Sequence, residues 1–474
     1  MKTFIFLSFV VAAPFALSAC SHRQPAQDLG TSKWFGTSET SPGPGGSALV
    51  HRYRLENGLT LLVLEDHSAP TFSYQTWFRV GSKDEDVGLT GLAHLFEHMM
   101  FKATKNHKDG EFDKILESAG AEGENAFTNR DYTAYVQSLP VTGRRDNLDL
   151  IASLESERMV NLLVDDEVLD KEREVVQNER RFRNENSPDG QLYERIYEVA
   201  YKHHPYHWPV IGYEPDLRDA KASQCEKFYR KYYAPNNAVI AVVGDVNADT
   251  ALKTVEKYYG KLPSSPIERN RTVAETSQEG ERSETRPMKT EVEKLVLAYH
   301  VPEGSHRDFP ALEVLRNILA VGKSSRLYRK LVDGGIATGV EIYNSEHKDP
   351  GLFIFFVNMQ KGKTARQALA AIDAALAEVR DGKVTRDELT RSVALLRYNV
   401  FDDLDSNHDK ARFLGFYETA TGRFETGIEI LNAVKAVKRE DVARVVKAYF
   451  TGTRRSILFG VPEKKLAARK GNAS

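Results

Sequence analysis

Short segments with a period of two open the folded part of the chain. Residues 50–55 and 59–64 flank the turn signal Glu56-Asn57-Gly58 and predict a strand pair, and 72–80 predicts a third strand. A helical period takes over at about 90–102 and 110–119. Strands return at 124–127 and 132–138. Helices then fit about 145–162 and 165–185, with more helix to about 232. The apolar run 238–243 reads as a strand ending at Gly244-Asp245-Val246, with a helix after it. A similar order follows: strands at 292–300, 336–345 and 350–358, helices at 309–320, 364–380, 386–404 and 439–450, and a closing strand at 456–461. The expected fold is therefore α+β, two homologous α/β-sandwich halves that each carry an antiparallel or mixed sheet flanked by helices.

Polar stretches frame these halves. Residues 21–47 are rich in Ser, Thr, Gly and Pro and predict a flexible tether. Residues 263–289 predict a linker between halves at 48–262 and 290–464, each large enough for its own core, and 465–474 form a polar tail. At the start, Met1-Lys2 precedes an apolar run at 4–16 and then Leu17-Ser18-Ala19-Cys20-Ser21. A basic start, a short apolar stretch and small residues before the cut read as a secretory signal. The run is too short to span a bilayer. Its ending resembles a bacterial lipobox, which makes 1–20 a lipoprotein signal peptide and implies that Cys20 is acylated. Ser21 fits outer-membrane sorting by the same resemblance. The implied location is the bacterial cell envelope, lipid-anchored at the outer membrane and facing the periplasm.

Composition narrows the chemistry. The 474 residues carry 65 Lys and Arg against 67 Asp and Glu, a formal charge of −2, so no bulk electrostatic case exists for nucleic-acid binding. Two cysteines exclude a disulfide scaffold and any site needing several thiolates. Cys225 falls in a helical pattern and reads as a packed thiol.

The strongest local signal is His94-Leu95-Phe96-Glu97-His98. Histidines four apart on a helix project from one face, one turn apart, and can reach a single Zn²⁺. Glu97 stays near that face, placed to take a proton from zinc-bound water as it attacks a carbonyl. A catalytic zinc takes three protein ligands. The segment Lys171-Glu172-Arg173-Glu174-Val175-Val176-Gln177-Asn178-Glu179 supplies candidates. Glu172 and Glu179 share a helical face, whereas Glu174 points away. Glu179 can ligate, and Glu172 can orient a histidine or the water. By itself, such a Glu/Arg run is more often a solvated helix surface.

Together these motifs resemble the pitrilysin/insulinase family of inverted-motif zinc peptidases, which includes the mitochondrial processing peptidases. Gly91 and Ala93 before the motif, Phe101-Lys102-Ala103-Thr104 after it, and Asn125-Ala126-Phe127-Thr128 with Asp131-Tyr132-Thr133 add to the likeness, which covers roughly 48–464. The resemblance implies one Zn²⁺ per chain held by His94, His98 and Glu179, with Glu97 as general base and Glu172 as a supporting acid. It implies that Asn125 and Ala126 lie on a strand that pairs with an extended peptide substrate, and that the halves enclose a substrate chamber. The spacing from His98 to Glu179 is slightly longer than the family's usual, and Thr142-Gly143-Arg144-Arg145-Asp146 is a place for an insertion.

The second half departs from the family pattern. Val332 and Thr338 stand where the family carries an Arg and a Tyr that polarise the scissile carbonyl. The resemblance then implies a heterodimer with a homologous metal-less subunit that supplies Arg and Tyr. The expected function is zinc-dependent endopeptidase, with a partner-dependent assembly subunit as the alternative. Arg326 and Tyr328 fit a helix surface better than a substitute pair. Gly322-Lys323-Ser324 lacks the upstream Gly of a phosphate loop, and His203-His204-Pro205-Tyr206-His207 reads as a structural loop.

Overall fold

The computed structural model describes residues 36–44, 48–143, 146–268 and 273–465. The expected signal peptide with Cys20, residues 21–35 of the expected tether and the tail beyond Lys465 lie outside the described residues.

One sheet is built from β1 (Gly36–Pro42), β2 (Leu49–Leu55), β3 (Thr60–Glu65), β4 (Thr71–Phe78), β5 (Glu122–Thr128), β6 (Thr133–Pro140) and β7 (Ala238–Gly244). Their order is β1-β2-β3-β7-β4-β6-β5. Only β3 and β7 run parallel. Every residue of β7 is buried, as its unbroken apolar run requires for a strand covered on both faces. A second sheet holds β8 (Arg282–Met288), β9 (Lys294–His300), β10 (Ala337–Asn344), β11 (Leu352–Met359) and β12 (Arg455–Pro462), in the order β10-β11-β9-β12-β8. Again one pair, β8 and β12, is parallel. Strand for strand, β8-β12-β9-β11-β10 repeats β3-β7-β4-β6-β5, so the duplication read from element order is present in the topology.

The helices of the first half are α1 (Leu92–Met99), α2 (Glu111–Ser118), α3 (Asn147–Asn161), α4 (Asp166–Arg180), α5 (Pro188–Ala200), α6 (Glu214–Asp219), α7 (Ala222–Tyr232) and α8 (Ala248–Tyr259). Those of the second are α9 (Phe309–Ala320), α10 (Ala365–Arg380), α11 (Arg386–Asp403), α12 (Asn407–Thr421), α13 (Glu425–Ala436) and α14 (Arg439–Tyr449).

Two helices cross between the halves. Leu192, Ile196 and Val199 of α5 pack on Val296, Ala298, Ile354 and Leu458 of the second sheet. Ala411 and Leu414 of α12 pack on Leu62, Trp77, Val239 and Val243 of the first. Each sheet would otherwise present an apolar face to water, so each half completes the other's core.

Three sequence expectations change here. The segment 263–289, read as a linker, ends in β8, and β1 lies within the segment read as a tether. Both are polar edge strands, each paired on one side only among the described residues, and that composition mimics a loop. Helix α12 escaped the periodicity because its buried face includes Gly415, Glu418 and Thr419 rather than a run of large apolar residues.

Gly415 is fixed by Trp77. A Cβ there would sit 2.2 Å from the indole Nε1, and Trp77 is fully buried. On an open helix surface Gly→Ala stabilises by about 1 kcal/mol. Here Gly415→Ala is expected to lower stability by about 1–3 kcal/mol through overpacking. Thermal denaturation followed by circular dichroism checks the sign, and an unchanged or raised midpoint would contradict this packing.

Candidate active site

Helix α1 is set by its start. Gly91 has φ +92°, and a Cβ there would lie 2.7 Å from the Ile211 carbonyl oxygen. The carboxylate of Glu85 accepts the N–H groups of Gly91 (2.9 Å) and Ala93 (2.8 Å), occupying donors that a helix start leaves unpaired. Leu92, Leu95, Phe96 and Met99 bury one side of α1, with Phe96 against Phe228, Tyr229 and Tyr233. The opposite side therefore presents His94 and His98, with ring centroids 4.9 Å apart.

Helix α4 lies across that side. It starts at Asp165, whose side chain accepts the Val168 N–H. Leu169, Val176 and Arg180 anchor it, and the Arg180 guanidinium bonds Glu194 and the Gly212 carbonyl. Glu172 is buried, Glu179 half-buried and Glu174 exposed, as the helical spacing predicts. The tertiary contact overrides the solvated-helix alternative.

Glu179 Oε2 lies 3.7 Å from His94 Nε2 and 3.5 Å from His98 Nε2. Donor atoms of His94, His98 and Glu179 all fall within 4.8 Å of one another. Zinc–ligand bonds of about 2.0–2.2 Å in a tetrahedron set neighbouring donors about 3.3–3.6 Å apart, so this triad fits the ion with small adjustments. Glu172 bridges His98 Nδ1 (3.6 Å) and Lys102 Nζ (2.9 Å), the outer contact that orients a ligating imidazole. Arg183 pairs with the other oxygen of Glu179 at 2.7 Å.

Charge is arranged unevenly. Burial lowers His94 to about 4, reinforced by the neighbouring His98, which leaves a neutral imidazole with a lone pair to donate. For His98 burial acts in the same sense, but Glu172 and Glu179 outweigh it and raise the ring to about 9. Burial raises Glu97 above the ordinary carboxylate range, opposed by a hydrogen bond from the Thr128 hydroxyl. Hydrogen bonding to His98 lowers Glu179, and its pairing with His98 and Lys102 lowers Glu172 despite burial.

Asn125 and Ala126 lie on β5, the edge strand beyond β6. The Asn125 side chain is exposed and its Oδ1 accepts the Ala126 N–H. The last residue of β5, Thr128, is the one that donates to Glu97, so the edge strand ends at the acid–base group. Thr128 and Glu85 had no role in the sequence reading. Thr128 stood in the strand motif, but its link to Glu97 exists only once β5 packs beside α1.

The second half places Val332 against its own core and Thr338 on β10, with its hydroxyl on the Asn358 carbonyl. Arg326 is not the open surface residue expected: its side chain is 10% exposed and is held by Glu388 and the Lys383 carbonyl, which ties it to its own half. Cys225 is buried, and burial pushes its thiol up to about 12.

Comparison with known proteins follows this division. Residues 60–214 match the family described as Insulinase (Peptidase family M16), and 219–396 match the Peptidase M16 inactive domain. The zinc protease PqqE of Helicobacter pylori is 33% identical over 417 residues, 86% of this chain and 92% of that one. A probable mitochondrial-processing peptidase subunit beta of Arabidopsis thaliana is 23% identical over 83% of this chain and 75% of its own. Among solved structures, a protease from Helicobacter pylori has a TM-score of 0.83 at 30% identity, covering 90% of this chain and 100% of that chain. The periplasmic protease PqqL of Escherichia coli shares the fold at 21% identity and a TM-score of 0.71. It is matched over 89% of this chain but 48% of its own length.

Proposed function

This chain belongs to the M16 insulinase family of peptidases, and from that premise we propose that it is a zinc-dependent endopeptidase of the bacterial envelope, acting on extended peptides or unfolded protein segments. The observation that carries the reading is the convergence of His94, His98 and Glu179 on one point, with Glu97 beside it and outside the ligand set. Zinc is the ion that this two-nitrogen, one-oxygen donor set suits, and relatives named as zinc proteases support it. Bound there, zinc would polarise the scissile carbonyl and lower the pKa of water.

The chain's own residues do the rest. Glu97, held by Thr128, takes the proton of the attacking water and delivers it to the leaving amine. Glu172 fixes the His98 ring through Nδ1. The substrate backbone adds to the free edge of β5 at Asn125 and Ala126, which requires an extended peptide.

The carbonyl-polarising Arg and Tyr come from a homologous, metal-less second subunit, because Val332 and Thr338 cannot supply them. A chain matching about half of the longer PqqL protease supports a second such half closing the chamber. The same two positions favour the second reading, a subunit whose main role is assembly. Zinc stoichiometry and cleavage of an unfolded peptide, with the purified chain alone and then with its partner, separate the readings. One zinc per chain and cleavage on adding the partner support the heterodimeric enzyme. Full activity of the lone chain overturns the heterodimer, and zinc-free, inactive complex overturns the peptidase.

The lipid anchor at Cys20 places the enzyme at the outer membrane facing the periplasm. Cys20→Ser is expected to move the protein from the membrane pellet to the soluble fraction. Unchanged retention in fractionated cells would refute the anchor.

A further inference from the structure

The turn after β5, residues 129–132, is held from both halves of the chain. On its own side, Ser82 and Lys83 donate backbone N–H groups to the Asn129 and Arg130 carbonyls at 3.1 and 3.0 Å. From the second half, the loop 345–350 between β10 and β11 closes on it. Lys348 N–H donates to Asp131 Oδ2 (3.1 Å) and Asp349 N–H to the Tyr206 hydroxyl (3.1 Å). That hydroxyl donates in turn to Asp131 Oδ1 at 2.7 Å. Lys83 Nζ bridges Asp131 Oδ1 (2.7 Å) and Asp349 Oδ2 (2.8 Å), and His347 Nδ1 lies 3.4 Å from Asp131 Oδ2.

The side chains of Lys83 and Asp131 are 6% and 3% exposed. Such a buried ion pair costs desolvation and adds little net stability, whereas breaking it is severe; registry is its best-attested use. The rest of the loop is tied down as well: Ser345 meets the Tyr197 hydroxyl, Glu346 accepts from Tyr417, and the Pro350 carbonyl accepts from Tyr201. Three residues before Asp131, Thr128 holds Glu97.

We propose that the loop 345–350 is a positioning element for peptide hydrolysis: through Asp349, Lys83 and Asp131 it sets the turn 129–132, and with it the Thr128 hydroxyl that orients Glu97. This rests on the proposed peptidase activity. The second half thereby reaches the acid–base group without touching substrate.

Asp349→Asn tests it in the full chain, assayed with its partner subunit on a fluorescein-labelled unstructured peptide. The expected result is a fall in kcat of about tenfold, with KM within about twofold and zinc content unchanged. Amide hydrogen exchange should quicken in 122–133 but not in β7. Because the effect passes through Thr128, the double variant Thr128→Val/Asp349→Asn should be no slower than Thr128→Val alone. A wild-type kcat for Asp349→Asn, multiplying effects in the double variant, or unchanged exchange in 122–133 would each overturn the proposal. Should Asp349→Asn fail to fold, Tyr206→Phe, which removes one oxygen from the network, decides by the same measurements. Should the wild type cleave nothing, the peptidase reading fails, and exchange in 122–133 still decides whether the loop sets the turn.

Discussion

Glu97→Gln is expected to reduce kcat by about 10²–10⁴-fold while one zinc per chain is retained. The exchange is nearly isosteric. The amide oxygen still accepts the Thr128 hydroxyl, so the side chain keeps its place at the end of β5. Glu97 is not among the three converging donors, so the metal affinity has no reason to change. What disappears is a carboxylate able to take a proton. Metal analysis together with single-turnover cleavage checks this, and equal cleavage by both proteins would remove Glu97 from the reaction.

His98→Ala should leave the chain without stoichiometric zinc and without activity, and a chelator should abolish wild-type activity until zinc is restored. In the proposed site three donors would hold the ion, and His98 also contacts both Glu172 and Glu179. Its loss leaves Glu172 to Lys102, and Glu179 to Arg183 and His94. The same contacts predict a pH dependence. The His98 ring, raised to about 9, carries a proton below that pH, and zinc must displace it. Zinc affinity should therefore fall about tenfold for each pH unit below about 9. Competition titration with a chromophoric chelator between pH 6 and 8 measures the slope. A flat profile would show that His98 enters the site already deprotonated.

Much of this site is legible in the chain because it is local. Two imidazoles four residues apart share a helical face wherever that helix goes. The orientation of Glu172 and Glu179, and the opposite direction of Glu174, follow from the same rule. What the helical rule leaves open is whether a charged helix faces water or the two imidazoles. In α4 that is decided by Leu169, Val176 and Arg180, which dock it against its neighbours. Polar β1 and β8 looked like loops because an edge strand needs little apolar surface, and α12 hid because glycine gives it its closest packing.

The spacing along single elements thus determined the zinc motif and the repeated order of two halves, and the family resemblance of the sequence supplied the edge-strand motif. Tertiary structure alone decided that α5 and α12 change halves, that Glu85 caps the metal helix, that Thr128 meets Glu97, and that Lys83 and Asp131 find Asp349. Those contacts join residues up to several hundred positions apart. They form because buried charges and apolar sheet faces must be satisfied by whatever the fold brings beside them, a condition that no local period along the chain encodes.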